Sequence, residues 1–234
     1  MYFGMYDPTI IVLIPAILLT LYAQGKVSRA YNKYLRVPNR RGITGFQAAR
    51  AILDANGLRH VPIERVAGNL TDHYDPQNDV MRLSADVYNG TSIASVSIAA
   101  HESGHAIQDG SAYALLKFRG AIAPAANIVS TLSWPLMIAG IIIIQMGKYS
   151  MGNMLFNLGI LFFLVVILFH LVTLPVELNA SKRAIRQLQA LAIIDADEKT
   201  GAKRVLSAAA LTYVAALATA IANLIRILMI RGRE

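Results

Sequence analysis

The stretch "SVSIAAHESGHAIQDG", residues 95–110, places two histidines four residues apart with a glutamate directly after the first. On an α-helix, residues i and i+4 share a face. His101 and His105 therefore turn imidazole nitrogens toward one point. Zinc takes such nitrogens at about 2.0–2.1 Å, and His-Glu-x-x-His is a recognised helical zinc pattern. Glu102 lies about 100° round the helix from His101. It is out of line as a third ligand but within reach of a water on the metal. Zinc lowers the pKa of such a water toward about 7, and a carboxylate then takes its proton. Together these groups hydrolyse amides. The plainer alternative is a pair of surface histidines in a chance five-residue pattern. Against it, the helix is otherwise small and apolar at Ile98, Ala99, Ala100, Gly104, Ala106 and Ile107. Two imidazoles and a carboxyl would be costly to bury there without partners. Gly104, lacking a side chain, admits another backbone at close range.

A catalytic zinc needs a third protein ligand. His60, His73, His170 and the acids are the candidates. Glu177 stands out, in "HLVTLPVELNASKRA", residues 170–184. It sits just past Pro175, where an apolar run gives way to a charged segment. The alternative for it is an ordinary solvated acid at a membrane boundary.

Composition says what must position these residues. Of the 234 residues, 55% are hydrophobic and only 15% charged, and mean hydropathy is +0.47. Soluble domains are nearer a quarter charged, so the chain reads as a membrane protein. Its formal net charge is +8. The basic residues flank apolar runs instead of forming a patch of their own. That favours topology setting and contact with anionic lipid over nucleic-acid binding. The chain has no cysteine, which excludes disulfides and thiolate metal ligands.

Residues 8–24 carry no charge and are about long enough to span a bilayer. No basic start precedes them, so they read as a retained anchor and not a signal peptide. Residues 25–119 hold 12 of the 22 basic residues and read as a soluble part. Within it, Thr44 and Gln47 make a capping box for a short helix that Gly57 ends, with Phe46, Ala49, Ile52 and Leu53 on one face. Residues 61–84 read as short strands with turns at Gly68 and at Asp75-Pro76. The helix bearing the motif begins after a turn at 89–91 and stops near Gly110. Apolar runs at 121–146 and 154–176 form a tight helical hairpin. A charged segment, 177–204, follows. The last run, 205–230, spans the membrane or packs as a buried helix; spanning is the preferred reading.

Basic residues prefer the cytoplasmic side. The N-terminus has none, 25–119 has 12, the hairpin turn has only Lys148, and 177–204 has six. These counts put the N-terminus and the hairpin turn outside. They put both charged segments inside, so the motif and Glu177 share the cytoplasmic face. Arg231 and Arg233 at an external C-terminus argue mildly against a fourth span.

With these pieces in place, the sequence resembles the YugP-like neutral zinc metallopeptidases of bacterial membranes. The resemblance rests on "GNLTDHYDP", "AAHESGHAIQ", "LPVELNASKRA" and "LTYVAA", in that order, and covers most of the chain from about Thr44 onward. More distantly, the chain is similar to the HtpX and CAAX prenyl protease group. That group pairs HExxH with a downstream ExxA helix whose glutamate is the third ligand. By that resemblance His101, His105 and Glu177 bind Zn2+, and Glu102 is the general base. Ser181 stands where the distant group usually has Asp. An acid such as Asp109 would then have to supply the contact to a ligand histidine; a solvated helix-end residue is the alternative. Tyr213 is a candidate donor to a tetrahedral oxyanion, or a buried structural tyrosine. His73 is a candidate for positioning substrate, or a turn histidine. His170 lies in an apolar span and is a functional suspect or a packing residue. The strands between Val66 and Leu83 offer an edge to an extended peptide.

The expected fold is a mainly α integral membrane protein, with three or four transmembrane helices and a small α+β, zincin-like cytoplasmic catalytic part. The expected segments are an anchor (1–24), a catalytic part (25–119), a transmembrane hairpin (120–176), a cytoplasmic segment with the third ligand (177–204) and a C-terminal apolar helix (205–234). The expected activity is that of a multi-pass plasma-membrane zinc metalloendopeptidase, a gluzincin, cutting membrane or membrane-proximal proteins. Its expected partners are a protein or peptide substrate and the lipid membrane, with a homo-oligomer left open and nucleic acid not among them. The rival is a non-catalytic zinc-binding membrane scaffold or assembly factor. Glu102 separates the two, because a structural zinc site needs no base. An intramembrane protease fits less well, since the soluble part precedes the motif. A transporter fits less well too, since the spans carry few polar residues.

Overall fold

The computed structural model describes residues 8–231. The expected exterior N-terminus and Arg233 fall outside that range. A 3-10 turn, Pro8–Leu13, runs into helix α1 (Ile14–Leu35). Then come α2 (Gly45–Ala55), strands β1 (Ile63–Val66), β2 (His73–Asp75) and β3 (Val80–Ser84), and the short α3 (Ala85–Tyr88). Helices α4 (Ile93–Gly110), α5 (Ala114–Gln145), α6 (Tyr149–Ala190) and α7 (Lys199–Arg231) complete the chain. The protein is 75% helical with one three-stranded sheet, a mainly α membrane protein as expected.

Four stretches are long and apolar enough to cross a membrane. They are Pro8–Leu35, α5, α6 and α7. The last apolar run therefore has the length and composition of a span, like the other three.

Helix α6 departs from the sequence reading. It has 42 residues, about twice the ~20 that cross a hydrocarbon core. It does not stop where the apolar run stops. It continues through Pro175 and Glu177 to Ala190. Val176, Ala180, Ala184 and Leu188 keep a fully buried stripe at four-residue spacing through the polar part.

The described chain forms two compact units. Within the described residues the first comprises 8–21, 118–173 and 213–231. Its core includes Met137, Phe156, Phe163, Ile167, Ala220 and Ile227. Glycines let α5 and α6 approach closely: a Cβ on Gly140 would lie 2.7 Å from the Phe156 nitrogen, and one on Gly159 would lie 2.9 Å from the Ser133 carbonyl oxygen. Packing through small residues is the usual way helices associate in lipid. The hairpin turns at Gly147, whose φ of +78° favours glycine.

The second unit comprises residues 22–117 and 174–212. The capping box of α2 forms as expected: the Gln47 N–H donates to the Thr44 hydroxyl at 3.2 Å, and the Thr44 N–H donates to the Gln47 side chain at 2.9 Å. Ala48, Ala49, Ile52 and Leu53 are its buried face, while Phe46 stacks on Tyr88 at 4.8 Å between ring centres. The sheet order is β1-β3-β2. β1 runs parallel to β3, and β2 runs antiparallel with Tyr74 opposite Met81. β2 is thus an edge strand. Helix α4 begins at Ser92, whose hydroxyl accepts from the Ser95 N–H at 3.0 Å. Its residues contribute to two apolar clusters. Ile93, Val96 and Ala100 join Ile52 and Leu188, and Ala99 and Ala106 join Leu53, Met81 and Leu83. With both clusters drawing on it, α4 is buried along nearly its whole length.

Candidate metal centre

The helical spacing of His101 and His105 does what four residues on an α-helix must do. Their rings lie 4.8 Å apart between centres, at 85° to one another. Helix α6 packs against this face at backbone range. A Cβ on Gly104 would lie only 2.6 Å from the Ala180 carbonyl oxygen. Glycine at 104 is what lets α6 come close enough to deliver Glu177. The Glu177 Oε2 lies 3.2 Å from His101 Nε2 and 3.5 Å from His105 Nε2. Glu177 is only 2% exposed.

One donor atom from each of His101, His105 and Glu177 lies within 4.8 Å of the others. Tetrahedral zinc with bonds of about 2.0–2.1 Å holds its donors about 3.3–3.4 Å apart. The two separations from Glu177 straddle that span. Two imidazoles with one carboxylate also suit the ligand chemistry of zinc. The residues fit the ion that the motif implies.

Behind the donor atoms, each ring has a further polar neighbour. His101 Nδ1 lies 3.2 Å from the Ser181 hydroxyl. His105 Nδ1 lies 3.0 Å from the side-chain oxygen of Gln108. Serine at 181 thus makes a histidine contact itself, and a neutral amide makes the other. Asp109 instead faces β2, with its Oδ2 3.0 Å from the Tyr74 hydroxyl. The sequence reading missed Gln108. The signal was present, because a residue three positions after His105 lies on the same helix face.

Glu102 stands beside the donors, 8% exposed. Its Oε2 accepts the backbone N–H of Tyr74 at 3.0 Å. Burial pushes the carboxyl up to about 7, with the nearby His101 opposing and the Glu177 and Asp72 carboxylates adding to the rise. The Tyr74 hydroxyl also donates to Asp79 at 2.7 Å. Burial and these two aspartates push its phenol upward. Tyr74 therefore ties the edge strand to α4 at two points, Glu102 and Asp109. Sequence reasoning did not single it out, because its anchoring group at Glu102 is a backbone amide.

The remaining candidates are not among the three grouped donors. His73 is exposed on β2, its Nδ1 2.7 Å from the Thr71 carbonyl oxygen. His60 pairs with Asp79 at 3.0 Å. His170 and Tyr213 sit on α6 and α7 within the first unit.

A histidine pair on a largely buried helix and a glutamate from a second helix, in a chain with four stretches apolar enough to span a membrane, define the class. The chain matches the family described as "Putative neutral zinc metallopeptidase" along residues 9–232 and belongs to it. It is 44% identical over 223 residues to the "Putative membrane protease YugP" of Bacillus subtilis (strain 168), a match covering 94% of this chain and 96% of that one. No solved structure matches it.

Proposed function

We propose that the protein is a membrane-embedded zinc endopeptidase of the gluzincin kind, hydrolysing peptide bonds of membrane or membrane-proximal proteins. One observation carries this reading: a buried carboxylate oxygen stands at zinc-ligand separation from two imidazole nitrogens, beside a second buried carboxyl that metal binding alone does not require. Zinc held by His101, His105 and Glu177 supplies Lewis-acid chemistry, acidifying water and polarising a carbonyl. Three protein donors leave room for a reactant, as catalytic sites do and closed structural sites do not.

Glu102 is the general base. It takes the proton of the attacking water and returns it to the leaving amine. A buried carboxyl beside the proposed ligands is positioned for both transfers. The Tyr74 N–H fixes the carboxyl by holding its Oε2. The edge strand β2, which carries His73, is the part of the sheet that lies alongside an extended substrate. Asp109 supports the base indirectly through Tyr74. The catalytic part is made of 25–119 together with 177–204. The basic-residue counts favour a cytoplasmic active site in the plasma membrane.

Glu102→Gln keeps the shape of the side chain and removes its basicity. It is expected to lower casein or self-cleavage turnover by ~10²–10⁴-fold while zinc content stays at the wild-type level. Near-normal turnover by the variant would sink the base assignment. A wild-type protein that holds zinc yet cuts nothing would favour the zinc-binding scaffold instead.

A further inference from the structure

His105 turns Nε2 toward Glu177, so the tautomer of its ring matters. Only a neutral ring protonated at Nδ1 leaves an Nε2 lone pair for a metal. The bonds around Gln108 decide which tautomer is held. Gln108 is 0% exposed and lies three residues after His105. Its amide nitrogen donates to the Val176 carbonyl oxygen at 2.8 Å and to the Asn179 Oδ1 at 3.0 Å. A backbone carbonyl has no proton to give, so the amide cannot be turned round. Asn179 Oδ1 also accepts from the Arg183 Nε–H at 2.8 Å, and a guanidinium only donates. Both anchors therefore direct the Gln108 oxygen toward His105 Nδ1, 3.0 Å away. An amide oxygen carries no proton, so the proton of that bond must sit on Nδ1.

We infer that Gln108, anchored by Val176 and by the Arg183–Asn179 pair, is a positioning residue that presets His105 in the Nδ1–H tautomer, with its Nε2 lone pair aimed at the metal position. His101 is held differently. Its Nδ1 faces the Ser181 hydroxyl at 3.2 Å, and a hydroxyl serves equally as donor or acceptor. His101 is free to carry its proton on Nε2 and donate to Glu177 at 3.2 Å, then move it to Nδ1 when a metal takes Nε2. One ligand is preset and the other adjusts. The preset ring has a direct consequence. A neutral His105 turns a lone pair toward the Glu177 oxygen 3.5 Å away, so two acceptors face each other. A cation between them relieves that conflict.

The functional meaning of this preset rests on the zinc reading, but the tautomer itself does not. Nitrogen-15 spectra of histidine-labelled, metal-free protein, taken well above the imidazole titration range, read it directly. The expected result is a protonated Nδ1 and a bare Nε2 on His105. A proton on Nε2 overturns the inference. Gln108→Met keeps the length of the side chain and removes both the acceptor and the donors. It is expected to give mixed tautomers and a zinc affinity, by chelator competition, lower by about 10–100-fold. Gln108→Glu restores an acceptor and is expected to restore the Nδ1–H form. An unchanged tautomer and affinity in Gln108→Met overturn the proposal. If that variant does not fold, the wild-type spectrum alone decides. A wild-type chain with the preset tautomer that takes up no zinc leaves the positioning role intact and overturns the metal reading instead.

Discussion

Glu177 and Glu102 are both buried carboxyls at one site, yet the proposed chemistry asks different things of them. Glu177 faces both imidazole nitrogens at 3.2 and 3.5 Å, so its loss removes a ligand. Glu177→Ala is expected to lower zinc affinity more than about a hundredfold, beyond the range typical for residues that only orient ligands. Activity should fall with it. The gain in stability on adding zinc should shrink too, since a ligand at about 100 times its Kd stabilises a fold by about 2.7 kcal/mol. Zinc titration followed by thermal melting checks both. Wild-type zinc affinity in the variant would remove Glu177 from the site. The histidine pair was legible in the sequence because its spacing needs only helical periodicity. The glutamate was legible as a suspect, from its place just past Pro175 and from the resemblance. Gln108 was not, because its role depends on a carbonyl from a helix 68 residues further on.

Helices α4 and α6 meet through a glycine, and that contact sets the distance between the ligands. A methyl at position 104 would press on the Ala180 carbonyl oxygen at 2.6 Å. Backbone oxygen cannot swing aside, so the helices must part. Gly104→Ala is expected to cost about 1–3 kcal/mol of stability, measured as a lower Tm, and to weaken zinc binding by moving Glu177 off the histidines. An alanine variant with an unchanged melt and unchanged zinc affinity would show that the approach of the helices is not limiting. The close approach at Gly104 was anticipated, but the extent of α6 was not. Proline and a change of polarity ordinarily mark a helix end. Here, neighbouring structure carries the helix past them. The better signal was the four-residue recurrence of Val176, Ala180, Ala184 and Leu188, which keeps one face apolar through the charged stretch. The α2 capping box and the turns bounding β2 were readable because local residue chemistry alone fixes them. The direct pairing of β1 with a central β3 was not, because no local rule specifies which strand sits centrally.

Across the whole molecule, four apolar stretches and an uneven spread of basic residues lead to one expected orientation. A reporter fused after Lys148 should read external, and one fused after Lys199 should read cytoplasmic. The reverse pattern would put the proposed active site on the other side of the membrane. The long separation of the ligands in the chain has a further consequence. His101 and Glu177 are 76 residues apart, with all of α5 and the apolar part of α6 between them. At typical synthesis speeds of about 5–20 residues per second, roughly 4–15 s pass on the ribosome after the histidines are made and before the glutamate exists. A nascent chain in that interval has two of the three proposed ligands. The order of synthesis thus supplies the last proposed ligand only after α5 and the apolar part of α6 have been made.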